Sequence, residues 1–263
     1  MKNIFIDIGL LIGVGLAYAN PIYFKEEAPA SYIKNLNKDF KLLYIFDIQK
    51  TMEAYDKNFI PYKVYIYNTK YTNKLLEKNP LIGNALPFSV LTYKKDDKSY
   101  IVVPNIYYVG LLIGSDTKSL KTLKDIQNKI LKDLKFNISK TSSYQSLALF
   151  VNMPYNMDFN DAKTFIKSSL ESNDMTVPHQ YQTKNVDILY SCNAKWGRYI
   201  LSDFKDIGAF APCRIVIYQK EGKTFVSYFN PKVVSFLDKN LKPSTLKAID
   251  KLNGILKSSL SGF

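Results

Sequence analysis

Residues 82–105, IGNALPFSVLTYKKDDKSYIVVPN, align without a gap with residues 207–230, IGAFAPCRIVIYQKEGKTFVSYFN, at a constant offset of 125. Ile, Gly, Pro, Tyr, two Lys and the closing Asn are identical, and most other positions exchange like for like. A stretch repeated in this way must fold the same way twice. Each copy reads as a Gly- and Pro-marked entry, a strand, a tight turn and a second strand. A helical stripe follows each: Leu120, Leu123, Ile126, Ile130 and Leu134 in the first half, and Leu246, Ile249, Leu252, Leu256 and Leu260 in the second.

The repeat extends upstream. FKLLYIFDI (40–48) is a continuous apolar run and predicts a buried strand, QKTMEAYDK a short helix, KVYIY (63–67) a strand and KYTNKLLEKN a helix. In the second half Ser146–Met153 predicts a strand, Asp161–Ser172 a helix, Val186–Ser191 a strand and Ala194–Leu201 a helix. The paired strands 214–219 and 223–229 follow. No good counterpart of FKLLYIFDI is visible, because MTVPHQYQTK carries a Pro and few apolar residues; the second copy reads as trimmed there. The expected fold class is α+β, with two tandem repeats, 20–136 and 137–263. Each is a mostly antiparallel sheet covered by helices, and the two pack as a pseudo-twofold pair within one chain.

The start, MKNIFIDIGLLIGVGLAYA, has the form of a secretory signal peptide. Lys2 precedes an apolar stretch, and Ala17-Tyr18-Ala19 provides the small-x-small site, so cleavage is expected near Ala19. Asp7 interrupts the stretch, and Ile8–Ala19 is too short to span a bilayer. The expectation is an exported, periplasmic protein with no transmembrane segment in the mature chain. The net charge of +13 suggests a general attraction to anions. However, 34 of the 36 basic residues are Lys, and bidentate phosphate and base recognition depends on Arg, which argues against specific nucleic-acid binding.

The pattern GxxxPxxVxxY, a Gly or Asp turn, and a strand closing on Asn-Pro resembles the hairpin of domain-of-unknown-function family 302. Cys192-Asn193-Ala194 and Pro212-Cys213 echo that family's Cys-Asn-Pro and Pro-Cys signatures, without the Pro after Asn. The resemblance implies a compact α+β domain that often pairs as a dimer, and it implies no activity.

The candidate functional residues concentrate in the second copy. Cys192 and Cys213, both arginines (Arg198 and Arg214), the single Trp196 and the single His179 all lie within 179–214. At the offset of 125 the cysteines replace Tyr67 and Phe88, which predicts two sites that face one another or share a pocket. They are a disulfide, two buried unreactive thiols, or a redox or metal pair. Arg198 and Arg214 would lower a thiol's pKa and hold a small anionic ligand. Asn68 and Asn193 precede helices and read as N-caps, with a ligand-binding amide as the other reading. Gly83 and Gly208 read as turn residues needing positive φ, and His179 as a surface loop residue. No nucleotide-cradling motif, HExxH, CxxC or nucleophile elbow is present, so no catalytic residue, cofactor or metal is assigned. Two functions follow. The first is a non-enzymatic binding or interaction module, taking a small ligand or a periplasmic protein through a pocket in the second repeat or between repeats. The second is a thiol-based redox or sulfur-handling factor using Cys192 and Cys213. The candidate ligand-binding or redox residues are Cys192, Cys213, Arg198, Arg214, Asn193 and Trp196.

Overall fold

The computed structural model describes residues 21–137 and 149–261; the leader-like stretch and the start of the strand expected at 146–153 lie outside them. The first half forms one five-stranded antiparallel sheet from β1 (Tyr23–Glu27), β2 (Lys41–Asp47), β3 (Tyr62–Asn68), β4 (Phe88–Lys95) and β5 (Lys98–Pro104), in the order β1-β5-β4-β3-β2. The second half repeats this order as β6-β10-β9-β8-β7. Its strands are β6 (Phe150–Tyr155), β7 (Thr176–Gln182), β8 (Val186–Cys192), β9 (Cys213–Lys220) and β10 (Lys223–Phe229). The central hairpins turn at Asp96-Asp97 and Glu221-Gly222. Both residues of each turn have positive φ, the geometry that matches the twist of the flanking strands. The duplicated α+β architecture is therefore as expected.

Several sequence readings need correction. MTVPHQYQTK is a strand after all: it supplies β7, the edge strand in the place of β2. Its alternating burial and its Pro178 are features an edge tolerates, because one side of the ladder has no partner to lose. What the second repeat lacks is the next segment. In the first repeat α1 (Ile48–Met52) and a loop join β2 to β3, whereas β7 turns into β8 within a few residues. In addition, Leu246 does not join the buried stripe of its helix and stands 43% exposed.

The remaining helices are α2 (Thr72–Lys78), α3 (Ile106–Leu112) and α4 (Thr117–Asp133) in the first half, then α5 (Phe159–Ser172), α6 (Ala194–Asp203), α7 (Val233–Leu237) and α8 (Pro243–Leu260). The apolar stripe of α8 is buried through Ala248, Ile249, Leu252, Leu256 and Leu260, where it packs on α5 and α6.

The two repeats exchange their duplicated entry segments. The 3-10 helix Pro80–Asn84 of the first lies on β8, β9 and β10, and the 3-10 helix Lys205–Phe210 of the second lies on β4 and β5. The hydrogen bonds are reciprocal as well: Arg214 Nη1 donates to the Gly83 carbonyl at 3.4 Å, and the Ser89 hydroxyl donates to the Ala209 carbonyl. Tyr44 and His179 occupy matching places on the edge strands, opposite Ile66 and Tyr190, and stack on each other with centroids 4.2 Å apart. His179 is thus a half-buried interface residue on β7, not a loop residue.

This exchange also explains Gly83 and Gly208, neither of which has positive φ. A Cβ on Gly83 would lie 2.8 Å from Val216 Cγ1, and one on Gly208 would collide with the Tyr62 ring. Both glycines permit close approach of one repeat's backbone to the other's sheet. Beside Gly208, Asp206 accepts from Tyr93 Oη at 2.7 Å and Lys25 Nζ at 3.1 Å, both from the first repeat.

Candidate functional site

Strand register changes the match between the two copies. Tyr67 pairs with Phe88 across β3 and β4, but Cys213, the counterpart of Phe88, pairs across β8 and β9 with Ser191. From β3 to β8 the true offset is therefore 124, although it stays 125 from β4 to β9, so Ser191 replaces Tyr67 and Cys192 replaces Asn68. The first repeat fills this place with two fully buried rings, stacked with centroids 5.6 Å apart and 16° between planes. Phe40 closes edge-on against Phe88 at 5.0 Å. The second repeat has a hydroxyl and a thiol there instead, and the missing rings leave a cavity of about 80 Å³.

Ile200 and Leu201 of α6, Ile207, Phe210 and Phe229 form much of the wall. Ile48 and Met52 of α1 close it from the first repeat, with Met52 Cε lying over Gly197 of α6. Because the second repeat has no counterpart of α1, it offers the first no equivalent cover. The asymmetry of the two loops and the loss of two rings therefore place the cavity in the second copy, against the first.

Cys192 and Cys213 both line this cavity. They are free thiols, so the disulfide is not formed. Burial pushes the Cys192 thiol up to about 12 and that of Cys213 up to about 11. This is the reverse of the activated thiol pair, and neither arginine lines the cavity to offset the burial. Arg214 lies on the other face of β9, buried over the Tyr190 ring (5.4 Å to the centroid) against Gly83, with Nη2 unpartnered. Arg198 donates to the Tyr55 carbonyl at 2.7 Å and to Tyr199 Oη at 2.6 Å. Trp196 lies beside Tyr199 and Lys195. None of these three residues lines the cavity, so an anion there would meet no cation.

Asn193 does reach the site. Its Oδ1 accepts from the Trp196 amide at 3.0 Å, capping α6, and its Nδ2 donates to the Asp174 carbonyl at 3.1 Å. Asn68 is not the cap of its helix. Its Nδ2 donates to Tyr181 Oη of the other repeat at 3.2 Å, while Thr69 accepts from the Tyr71 amide at 3.0 Å. Among the described residues no group of three or more His, Cys, Asp and Glu is placed to hold a metal ion. His179 is occupied by the rings of Tyr44 and Phe46.

Ser191 was not among the sequence candidates. It is fully buried, it lines the cavity, and its Oγ has no hydrogen-bond partner among the described residues. A lone Ser gives no sequence signal. Only the strand register, which sets Ser191 against Cys213 where the first copy sets Tyr67 against Phe88, identifies it.

Fold and site together define a tandem pair of α+β domains, the second of which carries an apolar cavity beside its two cysteines. The family model of Domain of unknown function DUF302 matches residues 30–136 and again 151–259, and the chain belongs to that family. A protein of Aquifex aeolicus (strain VF5), described as "Uncharacterized protein", is 33% identical over 114 residues, spanning 40% of this chain and 79% of that one. The crystal structure of an uncharacterized conserved DUF302 protein from Bacillus stearothermophilus is similar over 43% of this chain and 96% of that chain, with 18% identity and a TM-score of 0.38.

Proposed function

We propose that this protein is a non-enzymatic, exported binding module that holds a small ligand in the cavity of its second repeat. The observation that carries the reading is the replacement of the stacked Tyr67–Phe88 pair by Ser191 and Cys213, which leaves an apolar cavity where the sister domain packs two rings. The first repeat acts as scaffold and, through α1, as one wall of the site. A thiol-based redox role would call for cysteines more acidic than usual, and burial acts on Cys192 and Cys213 in the opposite direction. Export rests on the leader-like sequence 1–19. Among the described residues no helix is long and apolar enough to cross a membrane.

The test is to refill the cavity with the sister domain's residues. Ser191→Tyr with Cys213→Phe, or Cys213→Leu alone should the double variant fold poorly, is compared with wild type by thermal melting with and without saturating phenol. Wild type should gain thermal stability from the probe and the filled variants should not. An equal gain in both would place binding elsewhere and overturn the proposal. For export, mass spectrometry of the protein recovered outside the cytoplasm should find Asn20 at the N-terminus.

A further inference from the structure

The chemistry of the cavity wall restricts what it can take. Among the described residues that line it, none carries a charged side chain. The Asn193 side chain is spent at both ends, on the cap of α6 and on the Asp174 carbonyl. The thiols are weak hydrogen-bonding groups, and their burial keeps them protonated. The Ser191 hydroxyl remains, fully buried and unpartnered. A buried polar group without a partner costs about 1–3 kcal/mol, so a ligand that supplies the partner the protein does not is favoured. Charge is excluded for the converse reason, since an ion entering an apolar wall finds nothing to offset its lost hydration. At about 10–15 Å³ for one water, the 80 Å³ present corresponds to a handful of heavy atoms.

Resting on the pocket reading above, we infer that the cavity selects a small, uncharged, mostly apolar molecule with one hydrogen-bonding atom, and that Ser191 Oγ is the group that recognises that atom. Ser191 is the specificity determinant. Cys192, Cys213 and Met52 supply polarizable, adaptable sulfur wall that tolerates variation in the apolar part.

Isothermal titration of the full mature chain with phenol, toluene and benzoate tests this. The three share a ring and differ in bearing one hydroxyl, no polar atom, or a charge. Wild type should bind phenol about three- to tenfold more tightly than toluene, the worth of one ordinary hydrogen bond, and should not bind benzoate measurably. Ser191→Ala, which removes an unsatisfied group and so should fold, should bind toluene as before and lose the preference for phenol. Equal affinity for phenol and toluene in wild type, a preference that survives Ser191→Ala, or tighter binding of benzoate would each overturn the inference while leaving a binding pocket in place. Failure of all three probes to bind would overturn the pocket reading itself, and the inference with it.

Discussion

Adding one methyl group at Gly208 should loosen the joint between the two repeats. A Cβ there would overlap the Tyr62 hydroxyl and lie 2.7 Å from Cζ and 2.9 Å from Cε1. Tyr62 is 1% exposed and stacks on Tyr93 with centroids 5.9 Å apart, so the ring has nowhere to swing. Forcing an extra carbon into packed core costs about 1–3 kcal/mol. Pushing the ring back also breaks the bond from Tyr62 Oη to the Lys205 carbonyl, which leaves a buried donor unpaired for about 1–3 kcal/mol more. Gly208→Ala should therefore destabilise by about 2–6 kcal/mol, lowering the melting temperature by roughly 10 °C in a chain of this size. Urea unfolding reads the loss as a lower midpoint at unchanged slope. Gly254→Ala is the control: it lies mid-helix in α8 with nothing within 4 Å of the added carbon, and it should stabilise by about 0.5–1 kcal/mol. In a Tyr62→Phe background the hydroxyl collision is gone, and the loss from Gly208→Ala should shrink by about 1 kcal/mol or more. A Gly208→Ala protein as stable as wild type would refute the close-approach explanation of both glycines.

Two further outcomes follow from buried titrating groups. Asp187 is 1% exposed, with Gln182 Nε2 donating to Oδ2 at 2.9 Å and Oδ1 unpartnered, and burial raises its carboxyl pKa. A raised folded-state carboxyl favours the fold below its unfolded pKa, and that contribution is lost as pH rises through the folded value. Asp187→Asn should thus melt higher than wild type at pH 7, with the difference vanishing in acid; melting curves across pH check it. For Cys213 and Cys192, pushed up by burial to about 11 and about 12, the protonated thiol is the form present at pH 8. A chromogenic disulfide reagent should react slowly with the native protein and quickly after denaturation. Rapid native reaction would revive the redox reading.

The duplicated hairpin made the architecture legible from sequence, because a pattern that recurs over two dozen residues fixes strand, turn and strand twice. The Asn193 cap was legible for the same local reason. The edge strand β7 was not, since TVPHQYQ has the polar, Pro-containing character of a strand with one free side. The alignment of Cys192 with Tyr67 failed by one residue. Matching Asn68 to Asn193 hid a shift that only the cross-strand pairs Tyr67–Phe88 and Ser191–Cys213 disclose. The role of Gly83 and Gly208 was hidden for a different reason: what presses on each glycine belongs to the other repeat. The clustering of rare residues likewise misled in part, since Arg198 and Arg214 act in contacts between repeats instead of at the thiols.

The cavity itself is tested most directly by a crystal structure of the mature protein grown with phenol. Electron density for the ring should appear between α1 and α6, with its oxygen within hydrogen-bond distance of Ser191 Oγ, and none at the stacked Tyr67–Phe88 pair of the first repeat. A ring bound elsewhere, or a second repeat collapsed around Ser191 and Cys213 with no room for one, would contradict the assignment of this cavity as the binding site.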